Sequence, residues 1–455
     1  MKYSNASIGL AERFACFVTE LKLDNIPEQV VEKARACVLN GYGIALGSRP
    51  TPFFSVAERA VLAMDGERAV GAMLLGSGRK STVAGAALAN AALFHGRAQE
   101  DTCGVAHFGA ILLPLLTALI ENGEGKVEDL LPALIAGYEV GGALESAYSP
   151  RTTGRALRAS PLYGTIAAAA ATAKLWGLDT SQTTAAISNA ASFTGGILQS
   201  FGDGTDEWRY QVGMAGRNGL AAAALAAQGS VSAAQAFEGR SGFIRAYVGE
   251  EPNVDAIASG LGSDWSVLKV TFKPYPVCAL NQTPVRACLQ MRESLGSRLN
   301  DIRSVRVYLN PTVVDYAGMD KEGPFQSISG TLMSIQFCVA TTLLKGTPTI
   351  EHMTAFDDAE VKNMISRVHP AADESLGLLA CRLEADMADD VPVVVQLNMD
   401  HTDYSFDRQR VSALIRRIGD ETSVNGRAYD HLERFVQALP HADLSDVMAA
   451  FIEIQ

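Results

Sequence analysis

The sequence predicts a mainly α-helical protein in which both chain ends form an all-helical domain and an α+β lid domain is inserted between them. The chain has 455 residues, 48% of them apolar, enough for about two to three domains. Up to about residue 250 it is rich in Ala, Leu and Gly, which is typical of closely packed helices. Short β-branched runs follow, and the end is helical again. We expect the helical domain at 1–265 and 405–455 and the lid domain at 266–404.

Apolar residues at helical spacing predict the elements of the first domain. Pro27 opens a helix that Gly47 ends, in keeping with the preference of Pro for helix starts and of Gly for helix ends. Small residues on both faces of the helix after Ser160 predict burial all round. Further helices are predicted over residues 52–65, 82–98, 107–121, 127–148, 160–176, 180–200 and 210–228.

Strand and helix patterns alternate in the second half of the chain, which indicates an α+β unit. Strands are predicted at 266–272, 302–309, 379–385 and 391–399. Helices are predicted at 279–295, 327–345 and 358–368, and then at 429–439 and 444–454.

Charge and motifs exclude several classes of protein. The net charge of −12 argues against a nucleic-acid-binding surface. The longest apolar stretch, 108–120, is too short to span a bilayer, and no signal peptide is recognised. Seven cysteines without a C-x-x-C pair indicate free thiols, so we expect a cytoplasmic protein. No His or Cys spacing predicts a metal site, and no dinucleotide-binding motif follows a strand.

The polar segment 90–107 lies between two apolar helices and is the first candidate site. His107 precedes an apolar helix, whose N-terminus would lower the imidazole pKa and leave a neutral base. Asp101 is placed to orient that base. The alternative is an exposed polar loop with capping residues.

Two further segments precede small-residue helices. Tyr163 follows a Ser-Pro pair that helix capping explains, whereas the tyrosine itself serves either chemistry or core packing. Arg209 precedes the glycines at 213, 216 and 219, and Arg217 lies among them; these arginines either clamp a carboxylate or form surface ion pairs. The glycines indicate close approach of another helix or of a substrate.

The fourth segment, KPYPVC at 273–278, joins a predicted strand to a predicted helix. Lys273 ends the strand, and Cys278 and Gln282 lie near the helix start, where elements of the fold converge. Cys278 is either a site residue or a small apolar filler.

An ordered set of sequence stretches resembles the MmgE/PrpD family, which includes 2-methylcitrate dehydratase, cis-aconitate decarboxylase and iminodisuccinate epimerase. The set covers nearly the whole chain, and its order is more specific than any one motif. The stretches are KARACVLNGYGIALG (33–47), NAALFHGRAQEDT…H (90–107), GYEV (137–140), LWGLDTSQTTAAISNAASFTGG (175–196), VGMAGRNGLAAAALAAQG (212–229), FEGRSGF (237–243), KPYPVC (273–278) and SIQFCVATTLLKG (334–346).

The resemblance implies a helical domain with an inserted lid, an active site between the two, and a homodimer. It also implies a small polycarboxylate substrate and neither a metal nor an organic cofactor. Family members make or break a bond next to a carboxylate. Dehydration and epimerisation need a base for the α-proton and groups that stabilise enolate-like charge, whereas decarboxylation needs a proton donor.

Carried over residue by residue, the resemblance implies catalytic roles for His107, Lys273 and Asp101. Tyr163 stands in the segment where many members carry H-P-T-G, and we expect it to act as an acid on the opposite face of the substrate. The resemblance also implies substrate-binding roles for the residues Arg209, Gln282, Cys278, Thr102 and Tyr138.

The chain also departs from the family pattern. An earlier Asp of the acidic segment is Ala98, a Lys falls at Trp208, and a Tyr of decarboxylase-like members is Phe337. A His usual after Lys273 is absent, with Cys278 among the residues in its place. The hypothesis is a cofactor-independent dehydratase-type lyase acting α to a carboxylate; the alternatives are a dicarboxylate epimerase and a non-catalytic family member.

Overall fold

The computed structural model describes residues 8–452, which are mainly helical with a small mixed sheet in the C-terminal part. The helices of the first half are α1 (Leu10–Glu20), α2 (Glu28–Gly47), α3 (Phe53–Met64), α4 (Val83–Phe94), α5 (Gly109–Glu121), α6 (Leu130–Gly154), α7 (Ala159–Leu175), α8 (Thr180–Phe193), α9 (Gln199–Asp203) and α10 (Glu207–Ala227). Those of the second half are α11 (Val254–Ala258), α12 (Gln282–Leu295), α13 (Pro311–Val314), α14 (Ile328–Met333), α15 (Ile335–Lys345), α16 (Ile350–Thr354), α17 (Ala359–Ile365), α18 (Arg408–Thr422), α19 (Gly426–Ala438) and α20 (Ser445–Ile452).

Two sheets accompany these helices. A small antiparallel hairpin joins α3 to α4, and each of its strands, β1 (Ala72–Met73) and β2 (Lys80–Ser81), is two residues long. The larger sheet has the order β4-β3-β5-β6 and consists of β3 (Ile302–Leu309), β4 (Val368–Ala372), β5 (Ala380–Met387) and β6 (Val393–Asn398). The β3–β4 pair is parallel and the other pairs are antiparallel. The predicted strands at 302–309, 379–385 and 391–399 are confirmed.

The predicted strand at 266–272 is wrong. Residues Ser266–Lys269 form a 3₁₀ turn instead. The backbone N–H groups of Ser266 and Val267 each donate to the carboxylate of Glu139 at 3.0 Å. A buried side chain on α6 therefore satisfies the donors that a strand partner would otherwise satisfy.

Close helix packing explains two of the glycines of α10, Gly213 and Gly219. A Cβ at Gly219 would lie 2.4 Å from Cβ of Ala168 on α7, and one at Gly213 would lie 2.7 Å from the carbonyl oxygen of Leu88 on α4. Of the two explanations that the sequence allows, the structure shows helix contact. Helix α7 is almost completely buried, as predicted. Within residues 8–452 no helix is long and apolar enough to cross a membrane.

Candidate active site

A buried carboxylate, Glu100, is the centre of the candidate site. It lies in the non-helical segment between α4 and α5, which begins after Phe94 and ends at Gly109. Nζ of Lys273 donates to its Oε1. Nδ1 of His107 lies 3.3 Å from Oε1, and Nδ1 of His95 lies 3.0 Å from Oε2. The side chain of His107 is 14% exposed, whereas those of Glu100, His95 and Lys273 are at most 4% exposed, so His107 is the member open to a substrate.

The hydrogen-bond partners fix the tautomers of both histidines. Nη2 of Arg158 lies 2.8 Å from Nε2 of His95, and because a guanidinium only donates, Nε2 accepts. The proton of His95 is therefore on Nδ1, the nitrogen that lies 3.0 Å from Oε2 of Glu100. Nδ1 of His107 lies 3.1 Å from the carbonyl oxygen of Asp101, which only accepts. The proton of His107 is on Nδ1 as well, and its Nε2 carries a free lone pair.

Burial and neighbouring cations keep both imidazoles neutral. Burial lowers the pKa of His95 to about 4, although Glu100 opposes the shift. Burial and then Lys273 lower the pKa of His107 well below its usual value, again against Glu100. Burial alone would raise the pKa of Glu100, but its cationic and imidazole neighbours, His95 and Lys273 first, lower it well below the usual range. The site thus combines an ionised carboxylate with neutral His107.

Three cationic groups lie around Glu100. Burial lowers the pKa of Arg158 to about 10 and that of Arg209 to about 9, so both remain charged at neutral pH. Lys273 adds a third positive charge next to Glu100. These buried cations, in a chain of net charge −12, are the groups that would attract an anionic ligand.

Arg209 is oriented toward the protein backbone. Its Nη1 donates to the carbonyl oxygens of His95, at 2.7 Å, and Gly96, at 2.6 Å, just beyond the end of α4. Its guanidinium stacks on Phe53 and Trp208, 3.8 and 4.1 Å from the ring centroids. A cation at a helix C-terminus is stabilising, so Arg209 holds the start of the site segment. Arg217 pairs with Asp65 outside the cluster. Of the two roles that the sequence allows for Arg217, the structure thus shows an ion pair.

Asp101 contacts His107 through its backbone. The carbonyl oxygen accepts from the imidazole, while the carboxylate accepts from Oη of Tyr138. Burial raises the pKa of the Asp101 carboxyl to about 6, although the bond from Tyr138 opposes the shift. The predicted orienting contact to His107 therefore exists, but the main chain makes it.

Thr102 and Gln282 hold loops in place. Thr102 forms an isolated bridge with Thr271 through both backbone groups. The amide of Gln282 donates to the carbonyl oxygens of Tyr275 and Val277, both at 3.0 Å, and so shapes the turn after Lys273.

Tyr163 and Cys278 differ in their relation to the cluster. Oη of Tyr163 lies 2.8 Å from Oγ1 of Thr152, and its ring packs against Phe243. The contacts of Tyr163 thus do not join it to Glu100. Burial raises the pKa of the Cys278 thiol, which keeps it protonated beside the cluster.

Three residues of the cluster have no role in the predictions from sequence. His95 and Glu100 lie inside the polar segment 90–107, but nothing in the sequence separates Glu100 from its neighbour Asp101. Arg158 directly precedes α7, and its position alone gives no sign of a contact with His95. Between residues 8 and 452 no group of three or more His, Cys, Asp or Glu side chains is arranged to hold a metal ion.

Comparison with known families decides the ancestry of this site. The model of the MmgE/PrpD N-terminal domain matches residues 12–255, and that of the MmgE/PrpD C-terminal domain matches residues 275–418. The chain belongs to the MmgE/PrpD family. The N-terminal match contains His95, Glu100 and His107, whereas Lys273 lies just before the C-terminal match. The cluster of this MmgE/PrpD protein therefore combines residues from the first and the second half of the sequence.

Three curated relatives of this MmgE/PrpD protein are named as cis-aconitate decarboxylases or as decarboxylase-like. Cis-aconitate decarboxylase of Aspergillus terreus is 28% identical over 396 residues, which cover 82% of this chain and 80% of the relative. Human cis-aconitate decarboxylase is 24% identical over 408 residues, with coverage of 84% and 81%. A cis-aconitate decarboxylase-like protein of Aspergillus oryzae is 27% identical over 375 residues and covers 77% of each chain.

Proposed function

We propose that this MmgE/PrpD protein is a dehydratase-type carbon–oxygen lyase that acts on a small di- or tricarboxylic acid. One observation carries the proposal: His107 is a neutral, partly exposed imidazole whose Nε2 has no proton, and it lies beside the buried cation Lys273. Such a group accepts a proton, and the cationic surroundings stabilise the negative charge that forms next to the substrate carboxylate.

The reaction would use His107 and Lys273 in different roles. Nε2 of His107 takes the proton from the carbon next to the carboxylate. The electron pair of that C–H bond forms the carbon–carbon double bond as the bond to the hydroxyl group breaks. The ammonium group of Lys273 gives a proton to the departing hydroxide, which leaves as water. Glu100 holds both groups, since its Oε1 contacts each of them.

Decarboxylation is the second candidate, because the relatives in Aspergillus and human carry that name. The reaction needs a proton donor for the carbanion left by carbon dioxide. A neutral His107 is a poor donor, so Lys273 would have to supply the proton. The protonation state of His107 therefore favours dehydration over decarboxylation in this chain.

Epimerisation has less support from the geometry. It requires a base and an acid on opposite faces of one carbon. Tyr163, the residue proposed for the second face, bonds to Thr152, and His95 is held by Arg158 and Glu100. The cluster thus offers His107 alone as an accessible proton acceptor.

We propose that residues 266–404 act as a lid on a helical domain made of 1–265 and 405–455. Oγ of Ser329 donates to Asp206 at 2.7 Å, immediately before α10, and Tyr316 packs on Phe201 with ring centroids 6.2 Å apart. Phe201 in turn packs on Trp208, which contacts His95. Separation of these contacts would open the cluster to substrate.

Incubation with a panel of hydroxy- and unsaturated di- and tricarboxylates in D₂O tests the proposal by NMR. Loss of water from a hydroxy acid supports the dehydratase, with deuterium at the α-carbon of that acid only through the reverse hydration. Release of carbon dioxide supports the decarboxylase, exchange without net reaction supports an epimerase, and silence across the panel supports a non-catalytic protein. His107→Ala should abolish exchange, whereas His369→Ala, which changes an exposed histidine on β4, should not.

A further inference from the structure

The peptide between Asp101 and Thr102 is held from both sides. Its N–H group donates to the carbonyl oxygen of Thr271 at 2.9 Å, and its C=O group accepts from Nδ1 of His107 at 3.1 Å. In a planar trans peptide these two groups point in opposite directions. The bond to Thr271 therefore aims the carbonyl at His107.

The side chain of Asp101 is fixed as tightly as its backbone. Its Oδ2 accepts from Oη of Tyr138. Its Oδ1 lies against Gly109 at the start of α5, where a Cβ would come within 2.2 Å of it. Tyr138 is completely buried, and its ring meets Phe108 edge-on with centroids 5.9 Å apart. Tyr138 thus cannot contact a substrate, but it holds the residue that contacts the base.

The alternative tautomer of His107 is disfavoured by the same neighbours. With the proton on Nε2, the lone pair of Nδ1 would face the carbonyl oxygen of Asp101 and Oε1 of Glu100, both of which only accept. That tautomer would also leave no lone pair toward the substrate. The Asp101 carbonyl, the nearer of these two acceptors, therefore helps to decide which nitrogen is basic.

We propose that Tyr138 is a positioning residue: it holds Asp101 so that the proton of His107 stays on Nδ1 and Nε2 remains the base. The proposal rests on the proton transfer proposed above. It replaces the expectation from sequence that Tyr138 binds substrate.

Tyr138→Phe tests the proposal because it removes only the hydroxyl group. We expect kcat to fall about tenfold or more, as misplacement of a reacting group does, with KM unchanged within twofold. NMR of ¹⁵N-histidine-labelled protein should show an increased share of the Nε2–H tautomer at His107. Tyr42→Phe is the matched control, since Tyr42 is also buried and its Oη lies 2.5 Å from Oγ1 of Thr117; it should keep kcat and the tautomer.

Two results would overturn the proposal. One is an unchanged kcat with an unchanged tautomer; the other is a raised KM with an unchanged kcat, which marks a substrate contact. Gly109→Ala gives a second route if Tyr138→Phe does not fold, because its Cβ would lie 2.2 Å from Oδ1 of Asp101 and 2.9 Å from Oη of Tyr138 and so disturbs their contact. If the wild-type protein turns over no acid, the proposed function fails, and the tautomer measurement still tests the positioning by Tyr138.

Discussion

Glu100 shows how one buried side chain organises the site at the scale of single residues. It joins Lys273, which comes from the second half of the chain, to two histidines of its own segment. His107 and Lys273 are candidates from sequence because each matches a family stretch, and both lie beside Glu100. Glu100 could not be predicted, because in a loop without periodicity nothing in the sequence decides which of two adjacent carboxylates turns inward. The direction of Arg209 depends on where α4 ends, which is known only from the fold.

A double-mutant cycle on Glu100 and Lys273 should show strong coupling. Removal of either partner leaves a buried charge unpaired, so Glu100→Gln and Lys273→Met should each lower the free energy of unfolding by about 3 kcal/mol or more. The double variant should lose less than the sum, by more than about 1 kcal/mol. Urea unfolding measures all three.

The exposed pair Asp264–Lys269 is the matched control for that cycle. Its N···O distance is 2.6 Å, but the side chains of Asp264 and Lys269 are 65% and 45% exposed. Coupling there should stay below about 1 kcal/mol. Equal coupling energies in both cycles would contradict the view that buried Glu100 organises the site.

The pH profile should reflect the lowered pKa of His107. A base works only when it is unprotonated, and a lowered pKa keeps it unprotonated in more acidic solution. The acidic limb of kcat/KM should therefore fall below the usual histidine value of about 6.5. NMR titration of His107 gives the midpoint directly. Because Glu100 raises the pKa of His107, Glu100→Gln should move the midpoint further down; a midpoint at or above the usual value would contradict a neutral base.

At the scale of elements, amphipathic and small-residue patterns predict most long helices. Helix α2 runs from the residue after Pro27 to Gly47, in line with the prediction. Local sequence patterns do not predict β4, a short strand that contains Pro370, or α18, a strongly charged helix with few buried residues. They also extend the helix after Thr180 beyond its true end at Phe193. These elements depend on their packing partners, which local patterns do not contain.

Two glycines on α10 should respond in opposite ways to alanine. Alanine is the better helix former by about 1 kcal/mol, so Gly216→Ala should stabilise the protein, since its Cβ would meet only atoms at 3.5 Å or beyond. Gly219→Ala should destabilise it by about 1–3 kcal/mol, because its Cβ would lie 2.4 Å from Ala168. Thermal unfolding of the two variants compares them on one helix. A gain at both positions would show that α7 moves away at little cost.

At the scale of the whole molecule, the proposed lid would make access to the site depend on contacts between distant parts of the chain. Ser329 and Asp206 are far apart in sequence, and their hydrogen bond lies at the start of the helix that carries Trp208 and Arg209. The ring of Trp208 meets that of His95 edge-on, and Arg209 donates to the carbonyl oxygen of His95. A sequence does not show which distant residues contact each other, so the contacts of the proposed lid could not be predicted in detail.

Ser329→Ala should loosen this closure. Loss of a hydrogen bond worth about 1 kcal/mol should speed amide hydrogen exchange in residues 203–209 severalfold. Hydrogen–deuterium exchange with mass spectrometry measures the rate. Ser304→Ala is the control, because its hydroxyl also donates to an aspartate at 2.7 Å but joins two strands of the sheet. Similar rates at 203–209 in both variants would argue against a gating role for Ser329.

The contrast between the acidic chain and its cationic interior has a consequence for how fast a substrate arrives. A polyanion in dilute buffer meets long-range repulsion from the net charge of −12 before it reaches the attraction of Lys273 and Arg158. Added salt shortens the Debye length from about 30 Å at 0.01 M to about 8 Å at 0.15 M, which screens the distant repulsion more than the short-range attraction. Stopped-flow association should therefore accelerate as ionic strength rises through this range, whereas a protein with a basic exterior would show the reverse.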